Sequence, residues 1–245
     1  MGAMSEEMKS LHKNSVWELV LKHKDRKIIG SKWVYQKKES INEKDAPSYK
    51  VKLVVKGFSQ KGGIDCNETF SPMVKHISIR LLLSLVAHHD MELEQLDVMT
   101  IFLHGDLEET IYMAQPKGFM EEGKEELVRR LKKSLYELKQ SPRQWYKYFD
   151  SIMLQINYKR GEYDCCIYSH IFDDDHMIIL MLYANDMLIE CRDMLKIKEL
   201  KRILSREFDI KDLGAAKKIL GMKIKETRKM RGCSRQVHQQ GAWEV

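Results

Sequence analysis

Two polar residues interrupt a long apolar run in the second half of the chain. In "LMLYANDMLIE", residues 180–190, Asn185 and Asp186 stand between two stretches that predict the strands of a hairpin. Both residue types tolerate the left-handed backbone of a tight turn, so they could be turn residues and nothing more. Alternatively, Asp186 could act with Asp97, because two carboxylates from neighbouring strands can hold two divalent cations about 3.5 to 4 Å apart. Such a site activates a hydroxyl group and neutralises a triphosphate, as nucleotidyl transfer requires.

The elements that must position these acids are predicted from apolar periodicity. Residues 91–103, "MELEQLDVMTIFL", predict a strand with Leu93, Gln95 and Asp97 on one face. After residue 90 the predicted order is strand, helix, hairpin, helix and strand, which favours an α+β fold. The predicted helices cover "ISIRLLLSLVAHHD", "SPRQWYKYFDSIMLQINY" and "MLKIKELKRILSREF", and the last strand covers "AKKILGMKIKE". Residues 226–245 are polar and aperiodic and predict a tail that is disordered or loosely docked.

The positive charge of the chain is concentrated in one segment. The formal net charge is +6, and residues 22–61 alone contain twelve Lys or Arg against four acids. Trp33, Tyr35, Tyr49 and Phe58 are interleaved with these lysines, a composition that suits contacts with phosphates and bases. A solvated lysine face that only favours solubility is the alternative. The runs "KIIGSKWVYQKKE" and "SYKVKLVVKGFSQKGG" predict an antiparallel pair with lysines on one face.

Cysteine usage and hydropathy argue against several other classes of protein. The five cysteines form no CxxC pair and are odd in number, which disfavours both a zinc site and a disulfide framework. The longest apolar stretches, "MIILML" and "LLLSLVA", fall far short of the roughly 20 residues of a membrane-spanning helix. The sequence has no signal-peptide pattern, so an intracellular protein, cytoplasmic or nuclear, with no membrane attachment is expected.

Four long blocks carry a resemblance that covers nearly the whole chain. They are "YKVKLVVKGFSQKGGIDCNETFSPMVKHISIRLLL", "LEQLDVMTIFLHGDLEETIYMAQPKGF", "LKKSLYELKQSPRQWYKYFD" and "KDLGAAKKILGMKI". In these blocks the sequence resembles the reverse transcriptase domain of copia-type LTR retrotransposon Pol polyproteins. The resemblance implies a fingers-and-palm fold with an antiparallel palm sheet covered by helices and with no thumb. Residues 15–72 and 105–141 would be fingers-like, residues 73–104 and 142–225 would form the palm, and residues 226–245 would be an unmatched tail.

The resemblance also implies a site in which three aspartates bind two Mg²⁺ ions. Asp97 matches the first aspartate, and "YANDM" matches the usual Tyr-Val-Asp-Asp-Met, which puts Asn185 in the place of the second and Asp186 in that of the third. The expected partners are an RNA or DNA template-primer and deoxynucleoside triphosphates. The other roles that the resemblance implies are nucleotide binding by Phe102, Tyr136, Leu138, Lys52 and Lys56, and primer positioning by Leu220, Gly221 and Met222. Without the resemblance, core packing would be preferred for Phe102 and a solvated face for the lysines.

Several positions depart from the pattern that the sequence resembles. Asn185 removes one negative charge from a site that should hold two dications, and an amide oxygen is a poorer ligand for Mg²⁺ than a carboxylate. Glu137 stands where "LYGLKQ" has glycine, while Ile101 and the pair Glu190-Cys191 are expected to crowd the site. We therefore expect a degenerate copy whose polymerase activity is very low or absent. A non-catalytic, nucleic-acid-binding remnant is the main alternative, and an unrelated two-metal nucleotidyl enzyme is a third; the sequence does not predict the oligomeric state.

Overall fold

The computed structural model describes residues 2–23, 26–38, 48–174, 176–219 and 222–224. The chain forms two compact units, one of residues 1–71 and 101–149 and the other of residues 72–100 and 150–245. In the described residues the α-helices are α1 (Gly2–Lys13), α2 (His76–His89), α3 (Ser141–Gln155) and α4 (Met194–Glu207). The strands are β1 (Trp17–Leu21), β2 (Ile28–Ile29), β3 (Ser31–Lys38), β4 (Ser48–Val55), β5 (Glu92–Val98), β6 (Asp106–Met113), β7 (Leu127–Lys133), β8 (Lys159–Arg160), β9 (Ile167–Ile171), β10 (Met177–Tyr183), β11 (Asp186–Cys191), β12 (Ile210–Ala215), β13 (Lys218–Ile219) and β14 (Met222–Lys223).

The first unit combines a four-stranded sheet with a separate hairpin. The strand order of the sheet is β1-β7-β6-β2, and β3 pairs with β4 in the antiparallel hairpin. Helix α1 buries Met8 and Leu11 in a core that also contains Leu53 of β4 and Leu131 of β7. Apolar residues at helical spacing on α1 and at alternate positions on the strands supply this shared core.

The second unit is built on a six-stranded antiparallel sheet. Its strand order is β12-β5-β11-β10-β9-β8, so β5 and β11 lie next to each other near the centre. Helix α2 begins where the Asp164 carboxylate accepts hydrogen bonds from the Lys75 backbone N–H, at 2.8 Å, and from Ser78 Oγ, at 2.6 Å. The first bond satisfies a backbone donor that the start of a helix leaves without a partner, and the second ties the first turn of α2 to the same carboxylate.

The two faces of this sheet have different partners. Glu94 of β5 accepts a hydrogen bond from Lys201 Nζ of α4, at 2.6 Å, and the same ammonium group bonds Asp212 of β12, at 2.7 Å. Leu93 faces the other way because successive residues of a strand alternate, and it lies with Leu82 and Leu83 of α2 in the wall of one small cavity. The sheet is therefore covered by α4 on the Glu94 face and by α2 on part of the Leu93 face.

The mixed helix-and-sheet prediction is confirmed, and two of the predicted strands need correction. The predicted strand 91–103 ends earlier, because β5 stops at Val98, Thr100 has a φ of 52° and a 3₁₀ turn covers Ile101–Leu103. The predicted last strand over "AKKILGMKIKE" consists instead of two short strands, β13 and β14, that pair with each other. Strand β7 was not predicted. The predicted disordered tail, residues 226–245, lies outside the described residues. No helix in the described part of the chain is long and apolar enough to cross a membrane.

Candidate active site

The tip of the β10–β11 hairpin shows which residue takes the turn conformation. Tyr183 and Asp186 form the last pair of the hairpin, so Ala184 and Asn185 make the two-residue turn. Ala184 has the left-handed backbone, with a φ of 53°, and neither Asn185 nor Asp186 has a positive φ. Because alanine is poorly suited to that conformation and asparagine is well suited, turn geometry does not explain the residue types at 185 and 186.

Asp97 and Asp186 lie directly opposite each other on neighbouring strands. The register of the antiparallel β5–β11 pair joins Asp97 to Asp186, so both side chains leave the same face of the sheet. Residues paired in this way have Cβ atoms about 4.5 to 5.5 Å apart, close enough for two carboxylates to bind one cation or share two. The sequence predicted that β5 and the hairpin would bring these acids together, and the register places them so.

Asn185 is bound to Asp97 through its side chain. Its Nδ2 lies 2.5 Å from Asp97 Oδ1, in a short hydrogen bond that the amide donates, and its backbone oxygen accepts from Val98 N at 2.9 Å. One lone pair of the Asp97 carboxylate is therefore taken by an N–H group that belongs to the protein itself. A carboxylate at position 185 would present no such donor and would add a negative charge.

Asp186 has an environment that disfavours its charged form. Partial burial raises the pKa of the Asp186 carboxyl above its ordinary value, the hydrogen bond from Gln95 lowers it, and the nearby Asp97 charge raises it further. Gln95 Nε2 donates to Asp186 Oδ1 across 3.4 Å. Sequence reasoning placed Gln95 on the face of Asp97 but gave it no role, and the signal was its position two residues before Asp97 on the same strand. A bound cation would relieve the repulsion between the two carboxylates.

The oxygen donors at the hairpin tip fit one divalent cation better than two. Asp97 and Asp186 supply hard, anionic oxygens of the kind that Mg²⁺ prefers. Asn185 contributes no charge, and its N–H group is directed at one of the two carboxylates. In the described part of the chain no group of three or more His, Cys, Asp or Glu side chains is placed to hold a metal ion. The fit to Mg²⁺ is therefore partial, and the missing component is a third carboxylate.

Three of the predicted nucleotide-binding residues form one cluster in the first unit. The rings of Phe102 and Tyr136 meet edge to face, with centroids 5.6 Å apart and an interplanar angle of 87°. Lys52 Nζ lies 4.2 Å from the centroid of the Tyr136 ring, in a cation–π contact. Burial raises the pKa of the Tyr136 hydroxyl, so the phenol stays neutral. Lys52 therefore lies against an aromatic ring and is not merely part of a solvated face.

The other residues predicted to bind the nucleotide or position the primer lie in different parts of the structure. Leu138 is 2% exposed and belongs to the core of the first unit, so it supports the Tyr136 segment from beneath. Lys56 is exposed, and its backbone N–H bonds Gly30 O at 2.9 Å. Met222 pairs with Ile219 in the β13–β14 pair. Leu220 and Gly221 lie outside the described residues.

Glu137 occupies a backbone position that favours glycine. It has a φ of 66°, which costs a residue with a side chain roughly 1 kcal/mol or more. Its carbonyl group packs so closely against Gly57 that a Cβ atom at Gly57 would lie 1.8 Å from the Glu137 oxygen. Glu137 also pairs with Lys32, at 3.4 Å. Sequence reasoning did not single out Gly57, because only the close approach of two chain segments reveals why glycine is required there.

The β3–β4 register places three lysines of this hairpin on one face and its aromatic residues on the other. Lys32 pairs with Val54, Val34 with Lys52 and Gln36 with Lys50, so the predicted face with lysines is Lys32, Lys50 and Lys52. Trp33, Tyr35 and Tyr49 share the opposite face with Lys37. The prediction of lysines on one face therefore holds for Lys32, Lys50 and Lys52 but not for Lys37. The aromatic side chains of these strands lie on the face of Lys37, away from those three lysines.

Glu190 does not crowd the hairpin tip. It lies four residues beyond Asp186 along β11, which is about 13 Å in an extended strand, and it is opposite Leu93 and Ile179. Its carboxylate is 2% exposed, and neither oxygen has a hydrogen-bond partner. The expectation of crowding by Glu190 is therefore wrong, and the residue is instead a buried acid beneath α2.

The sequence of this chain matches one protein family and is similar to several polyproteins. Residues 14–238 match the reverse transcriptase (RNA-dependent DNA polymerase) family. The chain is 53% identical over 231 residues to a retrovirus-related Pol polyprotein from transposon TNT 1-94 of Nicotiana tabacum, a match that covers 94% of this chain and 17% of the polyprotein. It is 34% identical over 225 residues to the Pol polyprotein from transposon RE2 of Arabidopsis thaliana, covering 91% of this chain and 15% of that protein. It is 29% identical over 233 residues to a truncated transposon Ty1-A Gag-Pol polyprotein of Saccharomyces cerevisiae, covering 92% and 19%. The chain thus spans less than a fifth of the length of each of these relatives.

Proposed function

This chain belongs to the reverse transcriptase (RNA-dependent DNA polymerase) family, and we propose that it is a nucleotidyl-transfer domain whose chemistry is impaired at Asn185. The observation that carries the proposal is the pairing of Asp97 with Asp186 across β5 and β11, with the Asn185 amide bonded to Asp97. Two opposed carboxylates at the tip of a sheet suit cation-assisted phosphoryl chemistry. The amide weakens that site because it occupies a ligand oxygen and supplies no charge.

Asp97 and Asp186 are the residues that would hold Mg²⁺ in this domain. A bound ion would supply charge neutralisation for a triphosphate and its departing oxygens. Gln95 holds the Asp186 carboxylate by its hydrogen bond and so orients it on the face that Asp97 shares. Asn185, in contrast, must release Asp97 before that carboxylate can use both oxygens, and this exchange costs free energy at each binding event.

The cluster of Phe102, Tyr136 and Lys52 is the proposed nucleotide-binding surface. An aromatic edge-to-face pair gives a rigid apolar platform for a sugar or base, and the ammonium group beside it suits phosphate oxygens. Lys56 is assigned to the phosphates as well, and Leu138 to support of this segment. Leu220, Gly221 and Met222 are proposed to position the primer end. Residues 15–72 and 105–141 are proposed as fingers-like parts and residues 73–104 and 142–225 as palm, a division that the two compact units support in outline.

A magnesium titration tests the proposal without relying on turnover. We expect Asn185→Asp to bind Mg²⁺ at least about tenfold more tightly than the unchanged protein, because the change removes the N–H donor from Asp97 and adds a ligand charge. Isothermal titration calorimetry measures both affinities. Asp186→Asn, in the Asn185→Asp background, is the matched control and should lose the gain. Equal affinities for the unchanged protein and Asn185→Asp would contradict the role assigned to Asn185.

A second experiment addresses the nucleic-acid partner, which is proposed to be an RNA or DNA template-primer. The face formed by Lys32, Lys50 and Lys52 is suited to backbone phosphates, so affinity for a primer-template duplex should fall steeply as salt rises. We expect Lys50→Gln to reduce the slope of log K against log salt by about one. Lys37→Gln, on the opposite face of the same hairpin, is the control and should leave the slope unchanged. Binding that does not depend on salt would contradict this assignment.

A further inference from the structure

A groove of about 150 Å³ lies at the end of the six-stranded sheet that is remote from the hairpin tip. It is lined by His89, Met91, His176, Met177 and Arg192. Met91 precedes β5, and six residues of extended strand, about 20 Å, separate it from Asp97 at the other end. The groove is therefore spatially distinct from the paired carboxylates, and no role in the proposed polymerase chemistry has been assigned to it.

The polar wall of the groove is a source of hydrogen-bond donors. Arg192 Nη2 lies 3.0 Å from His89 Nδ1. Because a guanidinium group only donates, His89 Nδ1 must accept, and the hydrogen of the neutral His89 ring is then on Nε2. Within the described ranges no carboxylate lies within ion-pair distance of Arg192.

Asp174, two residues before His176, is already engaged by other groups. Asp174 Oδ2 lies 3.3 Å from His176 Nδ1 and 3.8 Å from Lys196 Nζ, and Asp174 Oδ1 accepts from the His176 backbone N–H at 3.3 Å. Lys196 Nζ also lies 4.0 Å from the centroid of the Phe172 ring. These contacts hold His176 at the rim of the groove.

Met91 and Met177 form the apolar wall. Met91 is buried and Met177 is exposed at the groove, and methionine side chains adapt their shape to an apolar surface. Two methionines and two histidines could also suggest a soft metal ion. The guanidinium group of Arg192 argues against a cation, because it would repel one and because its bond to His89 Nδ1 leaves the hydrogen on the nitrogen that would have to bind the metal.

We infer that this groove binds a small organic anion, a phosphate monoester or carboxylate that carries an apolar group. The anionic head would receive hydrogen bonds from Arg192 and from His89 Nε2, and the apolar group would lie on Met91 and Met177. A guanidinium group recognises either head group in a bidentate manner. The inference does not depend on the proposed polymerase chemistry, because it uses none of the residues at the hairpin tip.

Titration with phenyl phosphate, followed by NMR of the methionine methyl groups in the full chain, tests this inference. The signals of Met91 and Met177 are assigned from Met91→Leu and Met177→Leu. We expect saturable shifts of both methyl groups with phenyl phosphate. Phenol and inorganic phosphate, which each lack one half of the ligand, should bind at least about tenfold more weakly.

Variants of Arg192 test the proposed contact with the anionic head group. Arg192→Gln should weaken phenyl phosphate binding about tenfold or more, and Arg192→Lys, which keeps the charge but not the planar group, should give an intermediate loss. Arg202→Gln, on the exposed surface of α4, is the matched control and should bind as the unchanged protein does. The inference is overturned if phenyl phosphate causes no saturable shift at Met91 and Met177, if phenol binds equally well, or if the affinity of Arg192→Gln is unchanged.

Discussion

Asn185→Asp combined with Glu137→Gly should raise nucleotide incorporation by a hundredfold to ten-thousandfold, on the order of 3 to 5 kcal/mol in the barrier. The first change replaces the amide that donates to Asp97 with a third carboxylate, so the site gains a ligand and Asp97 regains a free oxygen. The second removes a negative charge from the Tyr136 segment, releases Lys32 from its ion pair, and relieves a φ of 66° that glycine tolerates.

Single-nucleotide primer extension with Mg²⁺ measures this gain on both RNA and DNA templates. The two single variants separate the contributions, and we expect most of the gain from Asn185→Asp because it acts on the metal ligands directly. Asp97→Asn in the restored background is the matched control and should return incorporation to its starting level. A restored protein that is folded, as judged by circular dichroism, and yet incorporates no more nucleotide than the unchanged chain would refute the impaired-enzyme proposal.

Glu190→Gln should make the folded state much less sensitive to alkaline pH. Glu190 is buried between β11 and α2, and the small cavity beside it is lined by leucine, isoleucine and methionine side chains and no other ionisable group. Burial raises the pKa of the Glu190 carboxyl from 4.5 to about 8. The folded state therefore holds a proton that the unfolded chain releases, and the free energy of unfolding falls as pH rises between about 4.5 and 8. The total loss is on the order of 4 to 5 kcal/mol, and it is complete once the pH is above the folded pKa.

Urea unfolding at pH 5, 7 and 9 measures this linkage. The unchanged protein and Glu190→Gln should differ by several kcal/mol more at pH 9 than at pH 5, because glutamine keeps the shape of the side chain and does not titrate. Glu162→Gln removes an exposed acid from the same unit and should leave the pH dependence close to that of the unchanged chain. If Glu190→Gln showed the same pH dependence of unfolding as the unchanged protein and the Glu162→Gln control, the pKa of Glu190 would not be raised by burial.

The elements that position the paired acids were predictable because periodicity reports burial. Alternation along residues 91–98 places Asp97 on the face of Leu93 and Gln95, and two apolar runs around Asn185 and Asp186 predict the hairpin. Helices α2, α3 and α4 were predicted within a few residues for the same reason, since apolar residues recur at three and four positions. Strand placement already suggested that Asp97 and Asp186 meet, and the resemblance strengthened that prediction.

The features that were not predictable depend on contacts between distant segments. Nothing in the local sequence indicates that Ala184, and not Asn185, takes the left-handed backbone. The sharing of one face by Tyr49, Trp33 and Tyr35 follows from the β3–β4 register, which composition does not contain. Glu190 is isolated from water beneath α2 because both faces of β11 are covered. A strand with one exposed face could have left the same residue in water, and the local sequence does not distinguish the two cases.

The hydrogen bond between Asn185 and Asp97 also changes what the hairpin tip needs in order to keep its shape. Three carboxylates at this point would repel one another whenever no cation was present, whereas an amide that donates to Asp97 lowers that repulsion permanently. Compared with an aspartate at position 185, the asparagine would therefore favour local stability over cation binding, in the direction commonly found at active sites. The turn between β10 and β11 therefore needs no bound cation to keep its shape, and it should keep its structure in the presence of chelators.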